Sequence, residues 1–496
     1  MLMDNLQSLR YFYPELTLIV AMLVVVIVDI SFNRLRNVLN PLLTIAALLI
    51  AAYFTAYVNH GQEANLFLGM LALDSFAQFF KLFLLLAALL VVLGSLHSEE
   101  LLQVHQGEFF ALLLAVTLGM LLMANSINLA ILYLSLELVS LTSYIMVGYL
   151  KGDRLSNEAS LKYILFGAIS TGSMLYGFSL IYGMTGSLNL YTIRDAFLSQ
   201  GVQGFDQFTI LLALVLTLAG FGFKTAAVPF HFWCPDVYAG APTPVTAFLS
   251  VAPKAAGFAI LVRFLFSGMT QTSGSEWGLV NGINWPLVLI GISVLTMTLG
   301  NIAALTQNNL KRMLAYSSIA HAGYILMGSV VLTGEGLKSM LIYMFVYLFM
   351  NLGAFLVVTI IYNSDRSFEI GDYHGMFKRA PFLTFAMGVF MLSLTGIPPF
   401  AGFLGKLYVF LAVIEKGLFW FAVVGTLNAA VAAFYYMRVI KAMVLEEGNG
   451  KTAPLHVSFL NQALLVALLI PNLILVVFWN PIERWTASSV KLFSGL

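Results

Sequence analysis

Fourteen apolar runs follow one another along this chain with little between them, and that succession limits what it can fold into. A helical membrane span needs about 20 apolar residues. The runs fall at 13–32, 40–58, 72–95, 107–124, 126–150, 158–184, 207–228, 243–268, 284–304, 312–333, 337–362, 382–414, 417–444 and 458–480. Hydrocarbon offers no water to backbone N–H and C=O groups, so each run must satisfy its own groups as a helix. The longest connections are the polar loops 187–206 and 363–379, which leave no room for a soluble catalytic domain. The chain reads as an all-α integral membrane protein of about 14 transmembrane helices.

Composition supports that reading. Residues are 60% hydrophobic and 9% charged, where a soluble domain carries about 25% charged residues. Lys plus Arg (24) nearly balances Asp plus Glu (23), which gives no basic footprint for nucleic acid. The single cysteine, Cys234, excludes a disulfide within the chain. It also excludes an iron–sulfur cluster, which needs about four thiolates. No Rossmann glycine fingerprint and no histidine pair at haem-like spacing occurs, so no cofactor is expected on this chain. Asp4 and Glu15 stand where a cleavable signal would be basic.

Orientation follows from the basic residues. With fourteen spans both termini share a side, which holds Arg10, Arg194, Lys338, Lys416, Arg484 and Lys491. The opposite side collects Arg34, Arg36, Lys151, Arg154, Lys162, Lys311, Arg312, Arg366, Lys378, Arg379, Arg438, Lys441 and Lys451. The richer side is expected to be cytoplasmic, with the termini outside.

Two spans are interrupted. The seventh stops at Pro229, and the twelfth is broken by Thr395-Gly396-Ile397-Pro398-Pro399-Phe400-Ala401-Gly402. Leu216-Thr217-Leu218-Ala219-Gly220 enters the first break, and Leu392-Ser393-Leu394-Thr395-Gly396 enters the second, 176 positions later. The division expected is 1–106 (three N-terminal helices), 107–268 (first repeat), 284–444 (second repeat) and 445–496 (a last helix). Five spans per repeat is odd, so the second copy would run inverted. Gly/Pro-interrupted spans at corresponding positions of inverted repeats point to the ion site of a transporter.

The mid-span ionisable residues are Glu137, Lys224, Lys254, His321 and Lys406. A charge at the bilayer centre costs about 2.5 kcal/mol or more. Lys224 precedes the first break, and Lys406 follows the second. Lys254 follows Pro253, which cannot donate to the carbonyl of Leu249. His321 has Ser317 and Ser318 one turn behind it. Any one of these taken alone is readable as a helix–helix staple, but five staples, two beside backbone breaks, would be costly for stability alone. Lys81 and Asp74, near the start of the third span, read as structural and able to snorkel to the interface. Glu158 and Lys162 read as a structural i,i+4 pair. The set of five suits proton relay, because the proton affinity of a buried lysine changes with its distance from a carboxylate. Moving one charge across 100 mV costs about 2.3 kcal/mol, within reach of such a change.

The stretch Val228-Pro229-Phe230-His231-Phe232-Trp233-Cys234-Pro235-Asp236-Val237-Tyr238-Ala239-Gly240-Ala241-Pro242-Thr243-Pro244-Val245-Thr246 is the most specific motif. It is supported by Pro14-Glu15-Leu16, by Asn309-Leu310-Lys311-Arg312-Met313-Leu314-Ala315-Tyr316-Ser317-Ser318, and by Leu394-Thr395-Gly396-Ile397-Pro398-Pro399-Phe400. On these residues nearly the whole chain resembles the subunit N family of respiratory NADH:quinone oxidoreductase (complex I). These are antiporter-like membrane subunits related to mitochondrial subunit two and to its chloroplast NDH counterpart. Ala239 departs from the family, which usually carries an acidic residue there.

The resemblance implies two inverted five-helix repeats with discontinuous helices at spans seven and twelve. It implies a Glu137–Lys224 ion pair, Lys254 as central relay, His321 as relay on span ten and Lys406 as the exit-side lysine. It implies no cofactor on this chain, while the whole complex uses NADH, FMN, iron–sulfur clusters and quinone. Neighbours would be the antiporter-like subunit M and the small subunit K, in the cell inner membrane. A multisubunit cation/proton antiporter and a ferredoxin- or hydrogenase-linked proton pump share the fold and stay open at this point. A free-standing transporter is a weaker fourth reading.

Overall fold

The computed structural model describes residues 3–32, 35–102, 106–200, 207–273, 276–280, 284–448, 453–455 and 457–490. Arg34, Lys451 and Lys491, used above for orientation, lie outside them. Numbering the helices used below in chain order, the first half contains α1 (Tyr13–Ser31), α2 (Arg36–Tyr53), α3 (Ser75–Ser95), α4 (Gln106–Asn125), α5 (Leu129–Val147), α6 (Arg154–Thr185), α7 (Gln207–Thr225), α8 (Trp233–Gly240) and α9 (Thr243–Val262). The connection read as a polar loop, 187–206, holds a further helix at Leu190–Gln200. The second half contains α10 (Trp285–Leu305), α11 (Leu310–Ser329), α12 (Gly334–Asp365), α13 (Pro381–Thr395), α14 (Ala401–Glu415), α15 (Phe419–Val444), α16 (Phe459–Ile474) and α17 (Asn480–Val490).

Helix covers part of every predicted run. Among the described residues eleven helices are long and apolar enough to cross a membrane. The other three runs fall short for separate reasons. α11 carries Lys311, Arg312, His321 and several serines; the twelfth run is cut into two 15-residue pieces; α16 has 16 residues. Two short antiparallel hairpins, not expected from the sequence, sit in connections. β1 (Ala64–Leu66) pairs with β2 (Leu71–Leu73), and β3 (Thr270–Ser273) with β4 (Glu276–Leu279). There the chain leaves helix and must pair its backbone another way.

Helix starts follow from side chains that accept from first-turn N–H groups. Asp74, Asn128, Asp153, Asn309 and Thr333 do this for α3, α5, α6, α11 and α12. A helix apolar on all sides must be buried by others, and α9 is the example: every residue from Thr243 to Val262 is buried. Its neighbours include α3, α4, α7, α11 and α12. By contrast α1 is only 22% buried over its span and faces outward. Lipid tails supply little drive for helices to associate, so close backbone approach matters. A Cβ on Gly300 of α10 would lie 2.7 Å from the Ala320 nitrogen, and one on Gly323 of α11 would lie 2.8 Å from the Met297 nitrogen. Only glycine fits at these two crossings.

The two breaks share a local form. α7 ends at Thr225 and α13 at Thr395; Ala226 (φ 57°) and Gly396 (φ 85°) follow in the left-handed region. A cis peptide comes next in each, at Val228–Pro229 and Pro398–Pro399, and helix resumes at Trp233 and Ala401. Ala239, beyond the first break, lies inside α8.

Two expectations about charged residues change, and a third pair gains partners. Asp74 and Lys81 do not snorkel, because both are buried (4% and 0% exposed). Asp74 holds the Arg263 guanidinium through two bonds of 2.5 and 2.6 Å, and Arg263 also donates to the Ala124 carbonyl at 3.0 Å. Lys81 pairs with Glu15 at 2.7 Å. Lys162 keeps its helical partner Glu158 at 2.8 Å but also reaches Asp236 at 2.7 Å, which Arg312 bonds from the other side at 2.6 Å. That cluster ties α6, α8 and α11 together.

Removing one partner of a buried ion pair strands the other charge, which costs about 3–5 kcal/mol. Asp74→Ala is therefore expected to lower the amount of this protein that accumulates in membranes and the thermal midpoint of the solubilised assembly. An unchanged midpoint would show that the Asp74–Arg263 pair contributes nothing to stability.

Candidate functional site

Lys224 sits in the last turn of α7, where unsatisfied carbonyls and the helix dipole favour a cation. Its side chain is buried (2% exposed), and Nζ donates to Ser140 Oγ of α5 at 3.2 Å. Glu137, three residues before Ser140 on the same helix, is half-buried. It makes no direct ion pair with Lys224; Ser140 makes the contact. The break beyond Lys224 is closed by aromatic packing. Trp233 stacks on Tyr163 (4.4 Å between ring centroids) and donates Nε1 to the Phe223 carbonyl at 3.0 Å. The Val228 N–H is satisfied by Thr296 Oγ1 at 3.0 Å.

Lys254, three residues before Gly257 on α9, is 3% exposed. Gly257 packs on Lys224: a Cβ there would lie 3.1 Å from Lys224 Cβ. Lys254 Nζ donates to the Ser318 carbonyl at 2.7 Å and to Ser318 Oγ at 2.5 Å. One turn before Lys254, Ser250 Oγ accepts from Asn351 of α12 at 2.5 Å.

His321 lies three residues beyond Ser318, one turn along α11, and is 2% exposed. Its ring lies between two phenols, with Nδ1 2.7 Å from Tyr343 Oη and Nε2 3.0 Å from Tyr436 Oη. Tyr436 also bonds Ser317. A neutral imidazole donates at one nitrogen and accepts at the other, so a proton taken up on one side can leave on the other. The Tyr347 ring lies 5.0 Å from the imidazole.

Lys406 occupies the second break. Buried to 4% exposure, its Nζ donates to the Thr395 carbonyl at 2.7 Å and the Leu394 carbonyl at 3.2 Å. These are carbonyls of the last turn of α13, left without helical partners by the break. The ammonium also lies 4.8 Å from the Tyr324 ring centroid. Tyr324 Oη accepts from Asn301, whose carbonyl oxygen accepts from Tyr435 at 3.0 Å.

Four predicted residues, Lys224, Lys254, His321 and Lys406, are buried, and Glu137 flanks the first. Sequence reasoning missed the groups between them: Ser140, Tyr343, Tyr436, Tyr324 and Tyr347. One signal was available, because Tyr343, Tyr347 and Asn351 recur every four residues on α12 and so share a face. Lys311, counted above among the basic residues that set orientation, is buried. It is 1% exposed, donates to the Ala241 carbonyl at 2.6 Å and lies 4.4 Å from the Phe368 ring centroid. Among the described residues, no group of three or more His, Cys, Asp or Glu is placed to hold a metal ion.

Buried amines met by hydroxyls and carbonyls, with an imidazole between two phenols and two broken helices, fit the antiporter-like class of membrane subunits. Comparison with known proteins agrees. A family model described as NADH:quinone oxidoreductase/Mrp antiporter, TM, matches residues 126–432, which include all five predicted site residues. NADH-quinone oxidoreductase subunit N of Anaeromyxobacter sp. (strain Fw109-5) is 45% identical over 514 residues, covering 99% of this chain and 98% of the relative. A chain of respiratory complex I from Thermus thermophilus superposes with a TM-score of 0.79 at 31% identity, over 96% of this chain and 99% of that one. A chain of the Mrp complex from Dietzia sp. DQ12-45-1b gives 0.83 at 19% identity over 98% of each, a likeness of fold alone. The chain belongs to the NADH-quinone oxidoreductase subunit N family.

Tyr436 joins His321 to Ser317, so Tyr436→Phe removes the bridge and keeps the ring. Proton translocation is expected to slow by roughly tenfold, equal to about 1.4 kcal/mol for a lost buried hydrogen bond. Proton uptake measured in reconstituted vesicles at the wild-type rate would show that Tyr436 only packs.

Proposed function

We propose that this chain is a proton-translocating membrane subunit of an NADH:quinone oxidoreductase, carrying protons along Glu137, Lys224, Lys254, His321 and Lys406. One observation carries the reading: the three lysines are buried, and among the described residues none is ion-paired with a carboxylate. Their contacts are Ser140, Ser318 and the carbonyls of Leu394 and Thr395. An ammonium held by a carboxylate is fixed as a charge, whereas one met by neutral oxygens can give its proton up. Glu137 then acts as the group whose approach or withdrawal from Lys224 loads and unloads the first lysine.

Under this reading the repeats are 107–268 and 284–444, inverted and each built around one broken helix, with 1–106 and 445–496 outside them. The subunit itself is not a redox centre. NADH, FMN, iron–sulfur clusters and quinone belong to other subunits, and their chemistry drives the row through conformation and charge. Its membrane-arm neighbours are the antiporter-like subunit M and the small subunit K. It sits in the cell inner membrane with both termini on the outer side. Identity over nearly the full length favours this reading over the antiporter, which the fold alone would equally support.

Lys224→Ala is expected to abolish or strongly reduce proton pumping while NADH oxidation by an artificial acceptor in the peripheral arm continues. Normal proton stoichiometry in that variant would remove Lys224 from the relay. Glu137→Gln should slow coupled turnover, and unchanged pumping would leave Glu137 as a helix staple. Purification of the chain without redox subunits, with sodium transport in liposomes, would favour the antiporter instead.

A further inference from the structure

We propose that Glu15, Lys81 and Asn125 form a closed, water-holding protonatable site in the N-terminal helices, separate from the lysine row. All three precede residue 126, where the match to the shared antiporter module begins. Glu15 lies in the first turn of α1, Lys81 in the second turn of α3, and Asn125 ends α4. Each is completely buried. Lys81 Nζ lies 2.7 Å from Glu15 Oε1, and Asn125 Nδ2 donates to the same oxygen at 3.3 Å.

What distinguishes this cluster from a plain staple is what remains unmet. Among the described residues Glu15 Oε2 and Asn125 Oδ1 have no hydrogen-bond donor, and Lys81 Nζ has no acceptor beyond its ion pair. The two oxygens lie on the same carboxyl and amide groups as the bonded atoms, so all three unmet atoms belong to one hydrogen-bonded cluster. Two need a donor and one needs an acceptor. A single water supplies that set, accepting from Lys81 and donating to both oxygens, and buried waters typically make two to four such bonds. An anion would meet two acceptor oxygens, and a second cation would meet the ammonium already on the carboxylate. The nearby Asp74–Arg263 pair shows the contrast, since its guanidinium is spread over both carboxylate oxygens and the Ala124 carbonyl.

A water against Glu15 Oε2 also gives that carboxylate a proton donor. Uptake of one proton adds it to the water as one of the water's own O–H bonds breaks and a new one forms on Oε2, leaving a neutral water, a carboxylic acid and Lys81 as ammonium. The site lies at the end of the bundle where Asn59 Nδ2 donates to the Tyr11 carbonyl and the β1–β2 hairpin meets Ser126.

Two measurements on the intact complex test this. A reconstruction that resolves ordered waters is expected to show one bonded to Lys81 Nζ, Glu15 Oε2 and Asn125 Oδ1; an empty space there overturns the site, whatever the complex pumps. Infrared difference spectra recorded during turnover should contain a protonated-carboxyl band that is lost in Glu15→Gln and displaced in Asn125→Leu. A spectrum in which Glu15→Gln leaves every carboxyl band unchanged overturns the protonation, and the water is then a structural filler.

Discussion

A lysine ammonium buried among hydrocarbon has to be met by oxygen, and the rest of this structure is arranged around where that oxygen comes from. Within a helix most carbonyls are already bonded to its own N–H groups, though such an oxygen can accept a second bond, as Ser318 does from Lys254. A broken helix releases several at once. That is why Lys406 is found against the carbonyls of Leu394 and Thr395, while Lys224, in the final turn before the first break, meets the Ser140 hydroxyl. The breaks themselves are tolerated only because neighbours satisfy what they expose, as Trp233 does for Phe223 and Thr296 for Val228.

The buried cations divide by what they touch. Arg263 and Lys81 are paired with carboxylates, as is Arg379 with Asp365. Lys224, Lys254, Lys406 and Lys311 meet hydroxyls and carbonyls instead. The first kind ties helices that would otherwise have little reason to associate in lipid. The second kind is held by neutral oxygens alone.

The architecture was legible because membrane helices announce themselves by length and apolarity, and each of the fourteen runs contains helix. The two breaks were legible because proline and glycine leave few other readings. Hairpins β1–β2 and β3–β4 were not, since strands of three or four residues in connections carry no periodicity. The burial of Asp74 and Lys81 was misread for a related reason: a charge near the end of an apolar run looks able to reach water. Whether it does depends on which helices cover it.

The sequence by itself determined that this is a multi-span membrane protein, where its helices break, and which ionisable residues lie within spans. Those follow from local composition and from the cost of charge in hydrocarbon. Only the tertiary structure decided what lies between these residues. It put Ser140 against Lys224 in place of a direct Glu137 contact, gave Lys254 the two oxygens of Ser318, and held His321 between Tyr343 and Tyr436. Such partners sit 22 to 115 positions apart, and a hydroxyl in an apolar helix gives no sign of the helix it will face. Its partner is set by the packing of the whole bundle.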